Sequence, residues 1–235
     1  MRTLHSALLS CLVAASLVSC KKDNHCIPTP TCTETGSWMG TYGSDFGQST
    51  TVADSTFISG GIAKLANSPW SYFYSSIELA IPACREVDAD AVTFEVRLKN
   101  PPKEIGSIAD YDAALWLYGD NDSAHVQYIG FRPQFTYFGL QHKQITNSEK
   151  LLYIFTDFRT VSLEAKDSIL TSKIDDTTTE TLDYTGNKIG KLKKVLISFK
   201  GPGSIDWVKL YNSKTGSLLM KEDFDTNGKS TVNWY

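Results

Sequence analysis

The sequence predicts an all-β protein built as a two-sheet antiparallel β-sandwich. The segment VTFEVRLK at residues 92–99 alternates apolar and polar side chains, which is typical of a half-buried strand. Residues 191–224 contain three apolar runs, separated by Gly-Pro-Gly at 201–203 and by a turn at 212–216, so two strand–turn–strand steps are predicted there. A helix is excluded in this stretch because the glycines and the proline would lie in its interior.

Short strands separated by turn residues account for the rest of the domain. Apolar and β-branched runs bounded by Gly, Pro, Asn and Asp predict strands at residues 57–58, 77–81, 113–118, 125–131, 134–142, 151–155, 159–164, 169–174 and 180–184. Residues 148–163 also fit a helix, but strands are favoured because aromatic and β-branched side chains are frequent there. Turn signals spaced by about 8–12 residues are typical of a β-sandwich.

The N-terminus has the pattern of an export signal. Arg2 precedes an apolar run at residues 7–18, which is shorter than the roughly 20 residues that span a bilayer. The run ends in LVSC at residues 17–20, which resembles the lipobox of bacterial lipoproteins. That resemblance implies that Cys20 is acylated and becomes the first residue of the mature chain. The alternative is an ordinary secretory signal with a chance cysteine.

Three segments with different roles follow from this reading. Residues 1–19 are predicted to be the lipoprotein signal peptide, 20–36 a lipidated flexible tether rich in Pro and Thr, and 37–235 a single β-sandwich domain. Lys21 directly after Cys20 resembles outer-membrane lipoproteins, and the start KKDN resembles their surface-export signals. We therefore expect an envelope protein anchored to the outer membrane through its acyl chains and exposed at the cell surface.

Charge argues against nucleic acid as a partner. The formal net charge of −3 becomes −4 when residues 1–19 are removed, because Arg2 is their only charged side chain. No stripe of basic residues marks a nucleic-acid footprint.

The cysteines predict one disulfide. After removal of Cys11 and acylation of Cys20, an odd number remains in an oxidising compartment. Cys26 and Cys32 are close in the tether and are predicted to pair, which leaves Cys84 as a buried free thiol. The CxxC spacing of a zinc site is absent.

Four segments resemble the concanavalin A-like lectin and glucanase jelly rolls, in their LamG-like form. They are VTFEVRLKN at 92–100, AALWLYGDND at 113–122, ISFKGPGSIDWVKLYN at 197–212 and GSLLMKEDF at 216–224. The resemblance covers most of residues 57–224 and implies a carbohydrate-related function. Glucanases of this superfamily carry an E-x-D-x-x-E motif, which Glu86 and Asp88 begin and which Ala91 breaks where the second Glu belongs. We therefore expect no catalytic residues, with Glu86 and Asp88 as solvated turn residues.

We expect no cofactor and no metal site, with calcium as the open alternative. Residues 120–122 form an acidic turn, and residues 223–228 fit D-x-D-x-N-G, the first half of a calcium loop. The position of the closing Glu of such a loop is occupied by Trp234. Both segments are interpreted as turns, although some members of the resembling family bind calcium.

The candidate ligand-binding residues are aromatic rings and amides on neighbouring strands. If the leucines of strand 113–118 face the core, the residues between them project from the opposite face. The same argument applied to residues 125–142 completes the predicted set: Trp116, Tyr118, Gln127, Tyr137 and Gln141. Flat rings stack on the C–H faces of sugars, and amides pair with hydroxyl groups. The alternative is that these rings pack under long loops or under a covered sheet.

Other prominent side chains receive simpler interpretations. His125 and His142 are read as isolated surface or packing groups, and no G-x-S-x-G motif accompanies them. Trp207 is read as structural, and Tyr72 and Tyr74 as further candidate contacts. The sequence thus predicts a lipid-anchored envelope protein with a non-catalytic carbohydrate-binding domain. The alternatives are a structural or protein-interaction lipoprotein and a glycoside hydrolase with unrecognised carboxylates.

Replacement of Cys20 tests the anchor. Cys20→Ser should leave unprocessed or soluble protein, because the thiol that receives the acyl chains is gone and more than one chain is needed for stable anchoring. The measurement is radiolabelled palmitate incorporation together with retention in membranes after a carbonate wash. A mutant that is still labelled and still retained would contradict lipidation at Cys20.

Overall fold

Alternating apolar and polar side chains place most of the described residues in strands. The computed structural model describes residues 32–43, 49–53, 57–65, 75–101, 112–129, 135–147 and 155–235. Residues 33–235 form one compact unit. Within the described part of the chain, no helix has the length and hydropathy needed to cross a membrane.

Seventeen strands form among the described residues, with two short 3-10 turns at Ala83–Arg85 and Ala89–Ala91. In chain order the strands are β1 Trp38–Gly43, β2 Ser49–Ala53, β3 Ile58–Ser59, β4 Ile62–Leu65, β5 Ser75–Ala80, β6 Val92–Asn100, β7 Asp112–Gly119, β8 Ser123–Ile129, β9 Phe135–Leu140, β10 Lys143–Asn147, β11 Phe155–Lys166, β12 Ile169–Ile174, β13 Thr177–Asp183, β14 Leu192–Lys200, β15 Gly203–Asn212, β16 Leu218–Glu222 and β17 Asn233–Trp234.

The strands form two antiparallel sheets, which confirms the predicted sandwich. The front sheet has the order β10-β9-β8-β7-β14-β5-β1-β2, and the back sheet has the order β13-β12-β11-β6-β15-β16-β17, with β4 paired to β15 and β3 to β4. The inner faces of both sheets supply the core. Phe94 and Leu98 of the back sheet and Leu115, Leu117 and Val126 of the front sheet are fully buried there.

The first predicted strand–turn–strand step exists as β14, the turn at 201–202 and β15, but these two strands do not pair with each other as a hairpin. β14 lies in the front sheet and β15 in the back sheet, so the chain crosses between sheets at this point. Gly201 has a φ of +80°, and a Cβ on Gly203 would clash with the ring of Phe199. These glycines let the chain leave one sheet and enter the other. The second step, β15 to β16, is a hairpin as predicted.

Two other predictions have mixed outcomes. The predicted strand at 134–142 ends at Leu140, turns, and returns as β10. Residues 155–163 lie in β11, in agreement with the strand reading, while residues 148–154 lie outside the described residues.

The free thiol predicted at Cys84 is wrong. Cys32 and Cys84 are both disulfide-bonded, and the side chain of Cys84 lies in an exposed 3-10 turn rather than in the core. Cys26 lies outside the described residues, as does Cys20, so the pairing of Cys26 with Cys32 stays a prediction.

A buried carboxylate, Asp90, ties the two sheets together at one end of the sandwich. Its two oxygens accept hydrogen bonds from the backbone N–H groups of Ile189 (3.1 Å) and Gly190 (3.0 Å). Asp90 precedes β6 of the back sheet, and residues 189–190 lead into β14 of the front sheet. The bond between Ala89 N–H and Gly190 C=O (2.8 Å) adds a backbone contact at the same place.

The turn between β7 and β8 packs on the other side of this loop. The N–H groups of Asn121 and Asp122 donate to the Ile189 carbonyl at 3.2 and 3.3 Å, and the Lys191 N–H donates to Asp120 Oδ1 at 2.7 Å. A Cβ on Gly119 would clash with the Ile189 carbonyl. The Asp90 clamp, defined as Asp90 with residues 119–122 and 189–191, therefore fixes the end of the β7–β8 hairpin.

A second buried carboxylate organises the C-terminal segment. Glu222 accepts from the N–H groups of Phe224 (2.8 Å) and Thr231 (2.7 Å) and from the Thr231 hydroxyl (3.1 Å). Phe224 adopts a φ of +56°, which places its ring 6.0 Å from the buried ring of Trp38. Burial raises the pKa of the Glu222 carboxyl, although these three hydrogen bonds act in the opposite direction.

The D-x-D-x-N-G segment that resembles half a calcium loop makes contacts within the protein. Asp223 pairs with Lys221 at 2.7 Å, and Asn227 Oδ1 accepts from the Gly60 N–H at 2.6 Å. Two of the side chains that a calcium ion would need are therefore engaged. Among the described residues, no group of three or more His, Cys, Asp or Glu side chains is arranged to hold a metal ion.

Asp90→Ala should destabilise the sandwich by about 3 kcal/mol. The change removes two charge-assisted hydrogen bonds and leaves two backbone N–H groups without partners in a buried site. The measurement is the free energy of unfolding in urea. Asp183→Ala is the control, because that exposed carboxylate accepts one backbone N–H, from Thr185, and should cost much less. Equal effects of the two changes would show that the clamp is unimportant.

Candidate functional site

The outer face of the front sheet carries most of the predicted ligand-binding residues. Leu115 and Leu117 are fully buried in the core, so the strand phase predicted for β7 is confirmed. Trp116 and Tyr118 lie on the opposite face and are partly exposed. The neighbouring strands have the same alternation as β7: Val126 of β8 and Phe138 of β9 face the core, as Leu115 does.

Strand register brings these outward side chains into contact. Trp116 of β7 lies directly opposite His125 of β8, and Gln127 of β8 lies opposite Tyr137 of β9. Directly opposed residues on one face of an antiparallel sheet have Cβ atoms about 5 Å apart, which is within contact distance of large side chains. We call Tyr118, Trp116, His125 and Tyr137 the aromatic row.

The rings of the aromatic row are nearly parallel. Trp116 and His125 have centroids 4.3 Å apart and planes inclined by 21°, so these two rings overlap face to face. Tyr118 lies 5.7 Å from Trp116 with planes inclined by 14°, and Tyr137 lies 5.4 Å from His125 at 30°. Trp116 is therefore stacked by two neighbours within the protein, and the part of its ring that stays exposed is what remains for a ligand.

His125 is the buried member of the row. Its side chain is fully buried, and neither ring nitrogen has a hydrogen-bond partner within the described part of the chain. Burial lowers the pKa of the His125 imidazole to about 4, so the ring is uncharged at neutral pH. A neutral imidazole stacks between Trp116 and Tyr137 without bringing a net charge to this face.

Polar groups flank the aromatic row on both sides. Gln127 Nε2 lies 3.5 Å from Asp112 Oδ2, a buried carboxylate that projects from the same face. On the other side the ammonium of Lys194 lies 4.7 Å from the centroid of the Tyr118 ring and 2.8 Å from Glu78 Oε2. Burial raises the pKa of the Tyr118 hydroxyl, so it remains a hydrogen-bond donor. Donors and acceptors for hydroxyl groups thus lie at both ends of the row.

Gln141 is placed apart from the other four predicted residues. It lies in the exposed turn after β9, where its N–H donates to the Ser123 carbonyl at 3.0 Å. Because Ser123 of β8 is opposite Tyr118, Gln141 lies two strands from Tyr118, at the edge of the row. Tyr72 and Tyr74 lie outside the described residues.

Sequence reasoning missed His125 and Asp112. In the β7–β8 hairpin, Tyr118 pairs with Ser123 and Trp116 pairs with His125. The two residue numbers of every such pair add up to 241. Counting outward from the acidic turn at 120–122 would therefore have placed His125 against Trp116. The interpretation of His125 as a packing group agrees with its burial, and the feature that sequence reasoning missed is the stacking of its ring on both sides.

The described carboxylates near this face, Glu78, Glu86, Asp88 and Asp112, are not arranged as a glycosidase pair. Glu86 and Asp88 are exposed and precede β6 of the back sheet; Glu86 pairs with Lys191 at 2.7 Å. Among described residues of the front sheet, Glu78 and Asp112 project from the outer face on strands separated by β14. Register and strand spacing put their Cα atoms about 16 Å apart. Hydrolysis by two carboxyl groups needs separations of roughly 5–9.5 Å.

Comparisons with known proteins place the fold. No protein-family model matches the chain, and no curated protein sequence matches it. The solved laminarinase from Rhodothermus marinus matches with a TM-score of 0.55 at 14% identity, covering 75% of this chain and 90% of that chain. This likeness shows a shared sandwich fold and, at that identity, nothing beyond the fold.

Two further structural matches have TM-scores below 0.5. A glycoside hydrolase family 16 endo-glucanase from Bacteroides ovatus matches with a TM-score of 0.45 at 14% identity, covering 74% of this chain and 79% of that chain. The carbohydrate-binding module CBM66 from Bacillus subtilis matches with a TM-score of 0.40 at 9% identity, covering 57% of this chain and 79% of that chain.

The buried imidazole predicts a stability loss in acid. The pKa of His125 is about 4 in the folded chain, against about 6.5 when unfolded, so the unfolded state binds the proton first. Stability is unaffected above pH 6.5, falls as the pH drops, and has lost roughly 2 kcal/mol from this group at pH 5. The measurement is urea unfolding of wild type and His125→Phe between pH 7 and pH 5.

His125→Phe keeps a flat ring in the stack but cannot titrate, so its loss of stability over this range should be smaller. Tyr137→Phe is the control, because it keeps a flat ring beside His125 and leaves the imidazole in place, so it should retain the wild-type slope. Identical slopes for wild type and His125→Phe would contradict the assignment.

Proposed function

We propose that the chain is a lipid-anchored protein of the cell envelope whose sandwich binds a glycan without cleaving it. The ligand lies on the outer face of the front sheet, against Trp116, Tyr118 and Tyr137, and its hydroxyl groups pair with Gln127 and Gln141. The acyl chains on Cys20 hold the domain at the outer membrane through the tether, with the domain exposed at the cell surface.

The aromatic row carries this proposal. Three partly exposed rings and a buried imidazole line one sheet face, with an amide and a carboxylate beside them. Apolar ring surface that stays exposed on a monomer is typical of ligand or partner sites. Sugars fit this combination, because a pyranose has apolar C–H faces and a rim of hydroxyl groups. A purely aromatic ligand would stack on the rings, but it would have no hydroxyl groups to form hydrogen bonds with the amides.

The electrostatics of the row favour an uncharged ligand. His125 is neutral at pH 7, and the two charges nearest to Tyr118, on Lys194 and Glu78, are paired with each other. A ligand with a carboxylate or sulfate group would find no free cation in the described part of this row. Neutral polysaccharide is therefore the class we propose.

The spacing of carboxyl groups supports binding without hydrolysis. Glu78 and Asp112 are about 16 Å apart at their Cα atoms, which is far beyond the reach of one glycosidic bond. Asp112 is also engaged with Gln127.

Trp116→Ala should lower the affinity for a neutral polysaccharide by roughly 30-fold or more, because truncation of an aromatic contact commonly costs 2 kcal/mol or more. The screen uses β-1,3-glucan, mixed-linkage glucan, xylan and dextran, with binding measured by affinity electrophoresis and cleavage by release of reducing ends. The melting temperature should stay within roughly 8 °C of wild type, because the ring is partly exposed.

Trp207→Ala is the matched control, since Trp207 is a partly exposed tryptophan on the outer face of the other sheet. It should leave neutral-glycan affinity unchanged. Unchanged affinity per folded molecule in Trp116→Ala, with a large loss of stability, would overturn the site. Release of reducing ends would overturn the non-catalytic assignment.

A further inference from the structure

The outer face of the back sheet carries a second group of aromatic rings, and here they are surrounded by cations. Phe158 of β11 and Trp207 of β15 are partly exposed on this face. Lys99 Nζ lies 4.8 Å from the centroid of the Phe158 ring, and the Arg97 guanidinium lies 5.9 Å from it. Lys209 Nζ lies 4.1 Å from the Trp207 ring.

A β-bulge turns Trp207 outward. The register of β15 against β6 shifts between Ile205 and Trp207. Asp206 and Trp207 are therefore both partly exposed, and neither side chain lies in the core. Trp207, interpreted as structural from the sequence, is thus partly exposed on the outer face. Bulges are frequent next to functional sites because they re-aim a side chain.

Strand register gathers the positive charges on this face. Lys64 of β4 lies opposite Ser204 of β15, which lies opposite Lys99 of β6. The Cα atoms of the two lysines are therefore about 10 Å apart, and Arg97 is one outward position further along β6. Lys209 lies opposite Glu95 at the next position. We call Lys64, Arg97, Lys99, Phe158, Trp207 and Lys209 the cationic patch.

Most of the positive charge of the patch is unpaired. Arg97 pairs with Asp206 at 3.0 Å, and both side chains are about 40% exposed (41% and 39%). Lys64, Lys99 and Lys209 form no ion pair within the described part of the chain, although Lys209 lies opposite the Glu95 carboxylate, which attracts it. Lys99 and Lys209 lie over ring faces. An acidic chain, with a formal net charge of −3, thus concentrates free ammonium groups on part of one sheet face.

We propose that the cationic patch binds an acidic polysaccharide, one whose sugars carry carboxylate or sulfate groups. The ammonium groups of Lys64, Lys99 and Lys209 pair with the anionic groups, and the partly exposed rings of Phe158 and Trp207 contact the sugar rings. This site is independent of the aromatic row, which lies on the other sheet and favours a neutral ligand.

The shape of the patch favours an extended glycan over a lipid surface. Anchoring in a bilayer uses apolar side chains that project beyond the cations into the acyl region. Here the cations lie on the ring faces, and Phe158 and Trp207 are partly buried. Among the described residues, the exposed large apolar side chains are Met39 and Tyr235, which lie outside the patch. A flat sheet face with charges at successive outward positions suits a flat, repeating polyanion.

The test compares two triple variants of the full chain with wild type, and all three proteins carry Cys20→Ser so that acyl chains do not contribute. The patch variant is Lys64→Gln/Lys99→Gln/Lys209→Gln. The control variant is Lys166→Gln/Lys214→Gln/Lys229→Gln, which removes three exposed lysines elsewhere and changes the net charge equally. The probes are polygalacturonate, dextran sulfate and uncharged dextran, measured by isothermal titration at low salt and at 0.5 M salt.

We expect wild type to bind at least one of the two polyanions and not dextran, with affinity falling at high salt because the charges are screened. The patch variant should lose at least tenfold in affinity, and the control variant should stay within twofold of wild type. Trp116→Ala should also keep this affinity, which separates the patch from the proposed neutral-glycan site.

Three outcomes would overturn the proposal. The first is equal loss in both triple variants, which would indicate attraction by net charge alone. The second is absence of binding to either polyanion at low salt. The third is patch-dependent binding to vesicles of phosphatidylcholine and phosphatidylserine (4:1) that exceeds binding to the polyanions, which would make the patch a membrane-contact surface.

Discussion

The Asp90 clamp is the contact on which the geometry of the front face depends. A buried carboxylate without partners would be destabilising, so Asp90 and the N–H groups of Ile189 and Gly190 hold each other in place. The same loop is held from its other side by the β7–β8 turn, where Gly119 leaves no room for a side chain. Once this turn is fixed, the pairing of β7 with β8 is set, and a slip of one residue would send Trp116 into the core.

On both sheets, buried residues alternate with residues that project from the outer face, but the outward residues of the two sheets differ in chemistry. On the front sheet, the positions between buried residues of β7–β9 hold rings, an amide and a neutral imidazole. On the back sheet, the corresponding positions of β6 and β15 hold Arg97, Lys99, Trp207 and Lys209. Only the inward-facing side chains form the core, so the outward-facing side chains of the two sheets can differ without disturbing it.

Much of the fold could be predicted from local patterns, because strand phase depends on burial alone. The run at 92–99 and the leucines of 113–118 gave the correct inward faces, and β12 matches its predicted limits. Sheet membership could not be predicted in this way: Gly-Pro-Gly at 201–203 suits a hairpin or a crossover equally, and the partner of β14 is distant in sequence. The outward position of Trp207 could not be predicted, because a bulge breaks the period of two. His125 was missed because its role comes from its cross-strand neighbours.

Charge provides the physical distinction between the two faces. Bringing an anionic sugar to the aromatic row would desolvate its charge beside Glu78 and Asp112, with the nearest described cation, Lys194, already paired. Bringing a neutral sugar to the back sheet would leave the ammonium groups of Lys64 and Lys99 without a counter-charge, so it would gain only ring contacts. Under the two proposals each face disfavours the ligand that suits the other, so specificity would arise from unfavourable as well as favourable contacts.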